Sequence, residues 1–148
     1  MIDETYRLQR FVEAQESVYA QVCAELRAGH KKSHWMWFIF PQLRGLGHSA
    51  MADRFAISDL GEARAYLAHP VLGSRLRECM RMVMDIQGKR VEEIFGYPDD
   101  LKFRSSMTLF AQAAPEEVIF QRMLERFFDG RPDERTLSLL GCADGQTD

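Results

Sequence analysis

A chain of 148 residues and 17.1 kDa is the size of one ordinary domain, long enough to build a core without a disulfide or metal. With 46% hydrophobic and 28% charged residues it is too apolar for a disordered segment. Its net charge of −3, from 19 basic and 22 acidic residues, argues against nucleic acid as a partner, because a general nucleic-acid coat needs a basic excess.

The first predicted element is a single helix. Leu8, Phe11, Val12, Tyr19, Val22 and Leu26 recur at three- and four-residue steps, and Gly29 is its natural stop. Gln15 interrupts that stripe. Its amide must be hydrogen-bonded or face a cavity, since burying it unpaired costs a few kcal/mol. Residues 33–40 are rich in aromatics and fit either a buried strand or a short buried helix. Helices on both sides, the absence of an obvious partner strand and Ser33 as an N-cap favour the helix, and Pro41 limits it. Residues 45–49 read as a loop.

Asp59, with Glu62 three positions on, makes a capping-box-like start for a helix through Leu67. Pro70 opens the next helix, which runs to about Gln87 with Leu72, Leu76, Cys79, Met80, Val83 and Met84 among its apolar positions. Residues 91–95 predict a short helix ending at Gly96. Pro98, Asp99 and Asp100 start another, through about Ala113, by placing negative charge at its first turn. Pro115, Glu116 and Glu117 repeat the device for a helix through Phe128, with Gly130 as its stop. A last short helix from about Asp133 to Leu140 packs Leu137 and Leu140. About seven helices and little strand predict an all-α fold: one compact helical domain over residues 1–148, with 141–148 a flexible tail.

Three cysteines, Cys23, Cys79 and Cys142, are odd in number and widely separated, which suits neither a disulfide framework nor a zinc ribbon. The four histidines include no pair at zinc-enzyme spacing, so no metal site is expected. The N-terminus lacks the apolar core of a signal peptide. The strongest apolar run, residues 35–41, is far short of the about 20 residues of a membrane span. A soluble, cytoplasmic protein without a membrane partner is the expectation.

Chemistry concentrates in two places. Lys32, beside Lys31, supplies positive charge; Trp35 and Trp37 supply flat faces; Gly45 and Gly47 let backbone N–H groups approach an oxygen-rich ligand. Ser33, Gln42 and Ser49 add polar contacts to the same segment. A nucleotide or sugar phosphate uses all of these: anion capture, stacking and close backbone approach. The bland alternative is a core tryptophan pair, a solvated Lys-Lys and an ordinary turn. His34 is the candidate general acid or base, because histidine is the residue type suited to that role at neutral pH, or else a satisfied histidine at a helix start. The second place is Asp99 and Asp100, followed by Lys102 and Ser106 on one helix face, a set able to hold a phosphate or carboxylate. Asp99 alternatively serves as a helix cap, the better reading for it. No Walker loop, dinucleotide fingerprint or Ser-His-Asp order occurs, and no cofactor is implied.

Several longer strings carry a resemblance. Phe11-Val12-x-Ala14-Gln15, Lys32-Ser33-His34-Trp35-Met36-Trp37-Phe38-Ile39-Phe40-Pro41-Gln42 and Gly45-Leu46-Gly47-x-Ser49 resemble an uncharacterised bacterial domain family. The match extends through Ala65-Tyr66-Leu67-x-His69-Pro70, Ile94-Phe95-Gly96-x-Pro98-Asp99-Asp100-x-Lys102 and Ser105-Ser106-Met107-Thr108. The resemblance implies a single, mostly helical domain and no known activity. Some members of the family bear the transferred name calpastatin, which this sequence argues against, since calpastatin inhibitory regions are disordered repeats. The chain is also distantly similar to NADAR domains, helical N-glycosidase-type proteins linked to ADP-ribose and related nucleotide sugars. That similarity transfers no catalytic position.

Two functions compete. The first is an enzyme-like binder of a nucleotide sugar or phosphorylated small molecule, with Gln15, Lys32, His34, Trp35, Gln42 and Ser49 in one pocket and Lys102 and Ser106 arriving from another helix. N-glycosidic hydrolysis there would need a carboxylate, for which Asp99, Asp100 and Glu62 are the candidates. The second is a regulatory protein-interaction module whose exposed tryptophans anchor a partner.

Overall fold

Apolar residues at helical spacing bury against one another to give ten helices among residues 6–141, the part of the chain that the computed structural model describes. In order they are α1 (Gln9–Glu16), α2 (Tyr19–Arg27), α3 (Met36–Ile39), α4 (Ala50–Arg54), α5 (Leu60–Ala68), α6 (Leu72–Asp85), α7 (Val91–Phe95), α8 (Asp99–Ala113), α9 (Ile119–Phe128) and α10 (Glu134–Leu140). The fold is all-α. Among the described residues the sole extended pairing is an isolated parallel bridge between Leu43 and Ile57. No helix of these residues is long and apolar enough to cross a membrane. Most of the expected tail, residues 142–148, lies outside the described part, as does Cys142.

Ten helices stand where about seven were expected, and two of the additions have local reasons. The long N-terminal helix is two, α1 and α2, because the ladder breaks at Ser17 and Val18. Val18 N–H donates to Gln15 O at 3.1 Å, one residue short of the α-helical partner, and its φ is −121°. The turn lets Phe11 and Gln15 face α3 while Val22 and Leu26 face α6. Helix α4 follows directly on the loop read at 45–49. Ser49 is its N-cap, its Oγ accepting from Ala52 N–H at 3.0 Å. Helix α3 is a single turn capped at Trp35 rather than Ser33. Helix α9 begins at Ile119 because Pro115 to Val118 form a turn, closed by Glu117 N–H on Ala114 O at 2.9 Å.

Three later helix ends follow the sequence, whereas Asp99 is the first residue of α8, behind Pro98 as N-cap, and no side-chain cap forms there. Asp59 Oδ1 accepts from Glu62 N–H at 2.8 Å and starts α5; Gly96, with φ 77°, ends α7. Asp133 caps α10, its Oδ2 accepting from Thr136 N–H at 3.1 Å and from Ser105 Oγ at 3.1 Å. Thr108 Oγ1 in turn accepts from Asp133 N–H at 2.8 Å. Hydroxyls of α8 therefore dock α10.

Helix α8 is the centre of the fold, packed by α3, α5, α7, α9 and α10. Every residue from 105 to 110 is buried. Phe103 stacks on Phe95 at 4.6 Å between ring centroids and meets Phe40 edge-on at 5.0 Å. Phe110 lies 5.6 Å from both Tyr66 and Phe120. Such pairs add about 0.5–1.5 kcal/mol each beyond area burial. The corner between α5 and α6 is tight enough to demand glycine at 73, where a Cβ would lie 2.1 Å from Leu67 O.

Candidate functional site

The tryptophan segment is held from beneath by a buried carboxylate. Glu25 on α2 is 3% exposed, and its Oε1 accepts from Lys32 N–H at 2.8 Å, Ser33 N–H at 3.0 Å and Trp35 Nε1–H at 2.9 Å. Its Oε2 accepts from Ser33 Oγ at 2.5 Å and Gln21 Nε2 at 2.8 Å. Burial alone would raise its pKa, but the hydrogen bonds from Ser33, Gln21 and the backbone at 32 and 33 hold the carboxyl well below the usual range. Ser33 is thus spent on Glu25, and Trp35, 1% exposed, is core.

A cationic ladder lies beside it. Lys31 Nζ pairs with Asp99 Oδ2 at 2.7 Å and sits 5.0 Å from the Trp35 ring centre. Lys102 Nζ pairs with Asp99 Oδ1 at 3.3 Å and sits 5.1 Å from the Trp37 ring centre. Asp99 therefore joins two lysines that each cover a tryptophan, tying the 30s loop to α8. Asp100 has a buried Oδ1 without a hydrogen-bond partner. Burial, with the charges of Glu92 and Asp99, raises its carboxyl pKa against hydrogen bonds from its own backbone and that of Leu101. Lys32 and His34 are exposed. Ser106 is fully buried in α8, its Oγ without a partner.

Gln15 is satisfied inside the core. Its Nε2 donates to Phe38 O at 2.7 Å and to Tyr66 Oη at 3.1 Å, and its Oε1 accepts from Arg75 Nη1 at 3.2 Å. Trp37, Gln42, Gly45 and Gly47 do come together, around a hollow of about 20 Å³. That is room for roughly one water, which needs about 10–15 Å³. The structure therefore does not gather Gln15, His34 and Lys102 into one wet hollow around the tryptophans.

A larger cavity, of about 610 Å³, opens next to this hollow, and Arg44 lines both. Its walls are the first half of α1, with Arg7 and Tyr6 before it, the end of α4, and the start of the α5 region at Ser58 and Glu62. The Leu43–Ile57 bridge closes the base of the intervening loop: Ile57 N–H donates to Gln42 O and Arg44 N–H to Ile57 O, each at 2.8 Å. Four arginines, Arg7, Arg10, Arg44 and Arg54, face two carboxylates, Glu13 and Glu62. Arg10 and Glu62 neutralise one another at 3.0 Å. Arg44 reaches Asp53 at 3.1 Å through an exposed, weak pair. Arg54 lies over the Phe55 ring at 5.1 Å. Neither Arg7 nor Arg54 has a carboxylate partner among the described residues.

Of this cavity, sequence reading singled out Glu62 alone. The arginines belong to three separate segments with no motif spacing among them, and the bridge at 43 and 57 together with the Arg10 guanidinium brings the segments together. The one local signal is the three-residue spacing of Arg7 and Arg10, although Arg7 itself lies outside α1.

Over residues 5–140 the chain matches the profile of DUF1810, described as a protein of unknown function, and it belongs to that family. Its fold is similar to the crystal structure of the conserved hypothetical protein Rv1873 from Mycobacterium tuberculosis, with a TM-score of 0.92 and 54% identity. That likeness covers 93% of this chain and 99% of the other. No curated protein matches the chain.

Proposed function

We propose that this member of the DUF1810 family binds a phosphorylated small molecule of nucleotide-sugar size in the arginine cavity. One juxtaposition carries the reading: two guanidinium groups without carboxylate partners among the described residues, Arg7 and Arg54, line a cavity of about 610 Å³ in a chain of net charge −3. Small-molecule pockets run about 300–1,000 Å³, so the volume suits such a ligand. A guanidinium fork matches phosphate oxygens two at a time, as it also does a carboxylate's. The first turn of α1, at the same wall, adds the positive end of its dipole. If the ligand is hydrolysed at a glycosidic bond, the carboxylate to place the water is Glu13. It makes no ion pair among the described residues, whereas Glu62 is consumed by Arg10 and Ser58.

The test is thermal shift and calorimetry with ribose 5-phosphate, AMP and ADP-ribose, with adenosine as the unphosphorylated control. Ligand at a hundred times its Kd stabilises a folded protein by about 2.7 kcal/mol, a shift of several degrees. Phosphorylated compounds are expected to give it, adenosine is not, and Arg7→Ala/Arg54→Ala is expected to abolish it. Silence from every phosphorylated compound, or an equal shift in the double variant, removes the reading.

A further inference from the structure

We infer that the arginine cavity takes a ligand with two adjacent anionic groups, gripped by Arg7 and Arg54, and that Arg10 is the positioning residue that makes these two a pair. The inference rests on the binding reading above and deepens it. Arg10 has no capacity left for a ligand. Its Nε donates to Arg54 O at 2.9 Å, Nη1 to Tyr6 O at 2.6 Å and Arg7 O at 3.0 Å, and Nη2 to Ala56 O at 2.8 Å and Glu62 Oε2 at 3.0 Å. Glu62 is itself buried and fixed by Ser58 N–H and Oγ, both at 2.8 Å.

The consequence is geometric. The carbonyls of Arg7 and Arg54, remote in sequence, lie within hydrogen-bond distance of one guanidinium. Arg7 is held there at φ 54°, a left-handed conformation that a non-glycine residue adopts only when its surroundings impose it. Two side chains then leave adjoining backbones at the wall of one cavity, each presenting a fork that fits one phosphate. A single phosphate occupies one fork and leaves the other idle. Two linked phosphates occupy both.

Titration calorimetry with inorganic orthophosphate and inorganic pyrophosphate separates the possibilities, at an ionic strength of about 0.15 M where longer-range attraction is screened. Pyrophosphate is expected to bind at least tenfold more tightly than orthophosphate. Arg7→Ala and Arg54→Ala should each cut that preference to threefold or less while orthophosphate still binds. Arg27→Ala, an exposed charge at the end of α2, should leave it intact. Arg10→Lys keeps the charge but loses the fork, and is expected to lose the preference with its circular dichroism unchanged; should it unfold, the two alanine variants still decide. Equal binding of the two anions, or a preference that survives either alanine variant, overturns the pairing and leaves the binding reading standing. Binding of neither anion removes both.

Discussion

Replacing Glu25 is expected to loosen the whole tryptophan segment. The carboxylate accepts five hydrogen bonds, three of them on Oε1, while only 3% exposed. In Glu25→Ala the Trp35 indole N–H loses its acceptor, and at 1% exposure it cannot turn to water. That donor alone costs about 1–3 kcal/mol, and the backbone N–H groups of Lys32 and Ser33 add part of the same penalty. The sum is about 3–5 kcal/mol, a large share of the ~5–15 kcal/mol that holds a typical domain together. At about 2–4 °C per kcal/mol for a chain near this size, Tm falls by roughly 10–15 °C. Glu25→Gln keeps one oxygen and loses the charge, so it costs less, about 2 kcal/mol. Its acid limb is also diagnostic. The folded pKa lies below the unfolded one, so the stabilisation is full above about pH 4.3 and disappears as pH falls through the folded value. Thermal unfolding by circular dichroism between pH 7 and pH 3 is the assay, with tryptophan emission as a second probe. An alanine variant within about 1 kcal/mol of the parent at pH 7 would refute the reasoning. So would a glutamine variant that loses stability with acid as steeply as the parent does.

Two further expectations follow from single contacts. Gly73→Ala places a methyl 2.1 Å from Leu67 O, a backbone atom that cannot step aside, and should cost about 2–3 kcal/mol in chemical denaturation. Gly61→Ala meets the end of the Tyr6 side chain at 2.5 Å and should cost clearly less; equal costs would mean the α5–α6 corner is not tight. His69 Nδ1 accepts from the backbone N–H of Val71 at 3.1 Å and Leu72 at 3.3 Å, and burial holds its pKa below the ordinary histidine value. Its contribution is therefore present above about pH 6.5 and lost as pH falls through the folded value. His69→Asn keeps a neutral acceptor, so between pH 7.5 and 5 its Tm should fall less than the parent's; parallel curves would exclude the cap.

The elements that were legible in the sequence are those whose ends are fixed locally. Gly96 closes α7, and Asp59 and Asp133 cap the helices that follow them, because each acts on backbone within a few residues. The break between α1 and α2 was hidden because Tyr19 continues the apolar stripe by spacing, although in the fold it turns toward Glu78 and Arg75. Helix α4 has no fully buried residue, so its sequence carries no apolar period to read. Gln15 was legible as a polar group needing partners, and it found them within the protein. The tryptophan segment was conspicuous for its chemistry, yet Glu25, the residue that organises it, looks in sequence like any charge on a helix. The arginine cavity was least legible of all, since it exists only where a bridge and one guanidinium join distant pieces of chain.

The burial of six consecutive residues along α8 has a dynamic corollary. A helix with one wet face can fray and re-form while the rest of a protein stays folded. One wrapped on all sides by α3, α5, α7, α9 and α10 cannot, because its amides meet solvent only after its neighbours have left. Opening near residues 105–110 and global unfolding are then the same event, and the slowest-exchanging amides of the molecule belong to this rod. Lys102 and Asp99, at its first turn, are thereby anchored to this rod.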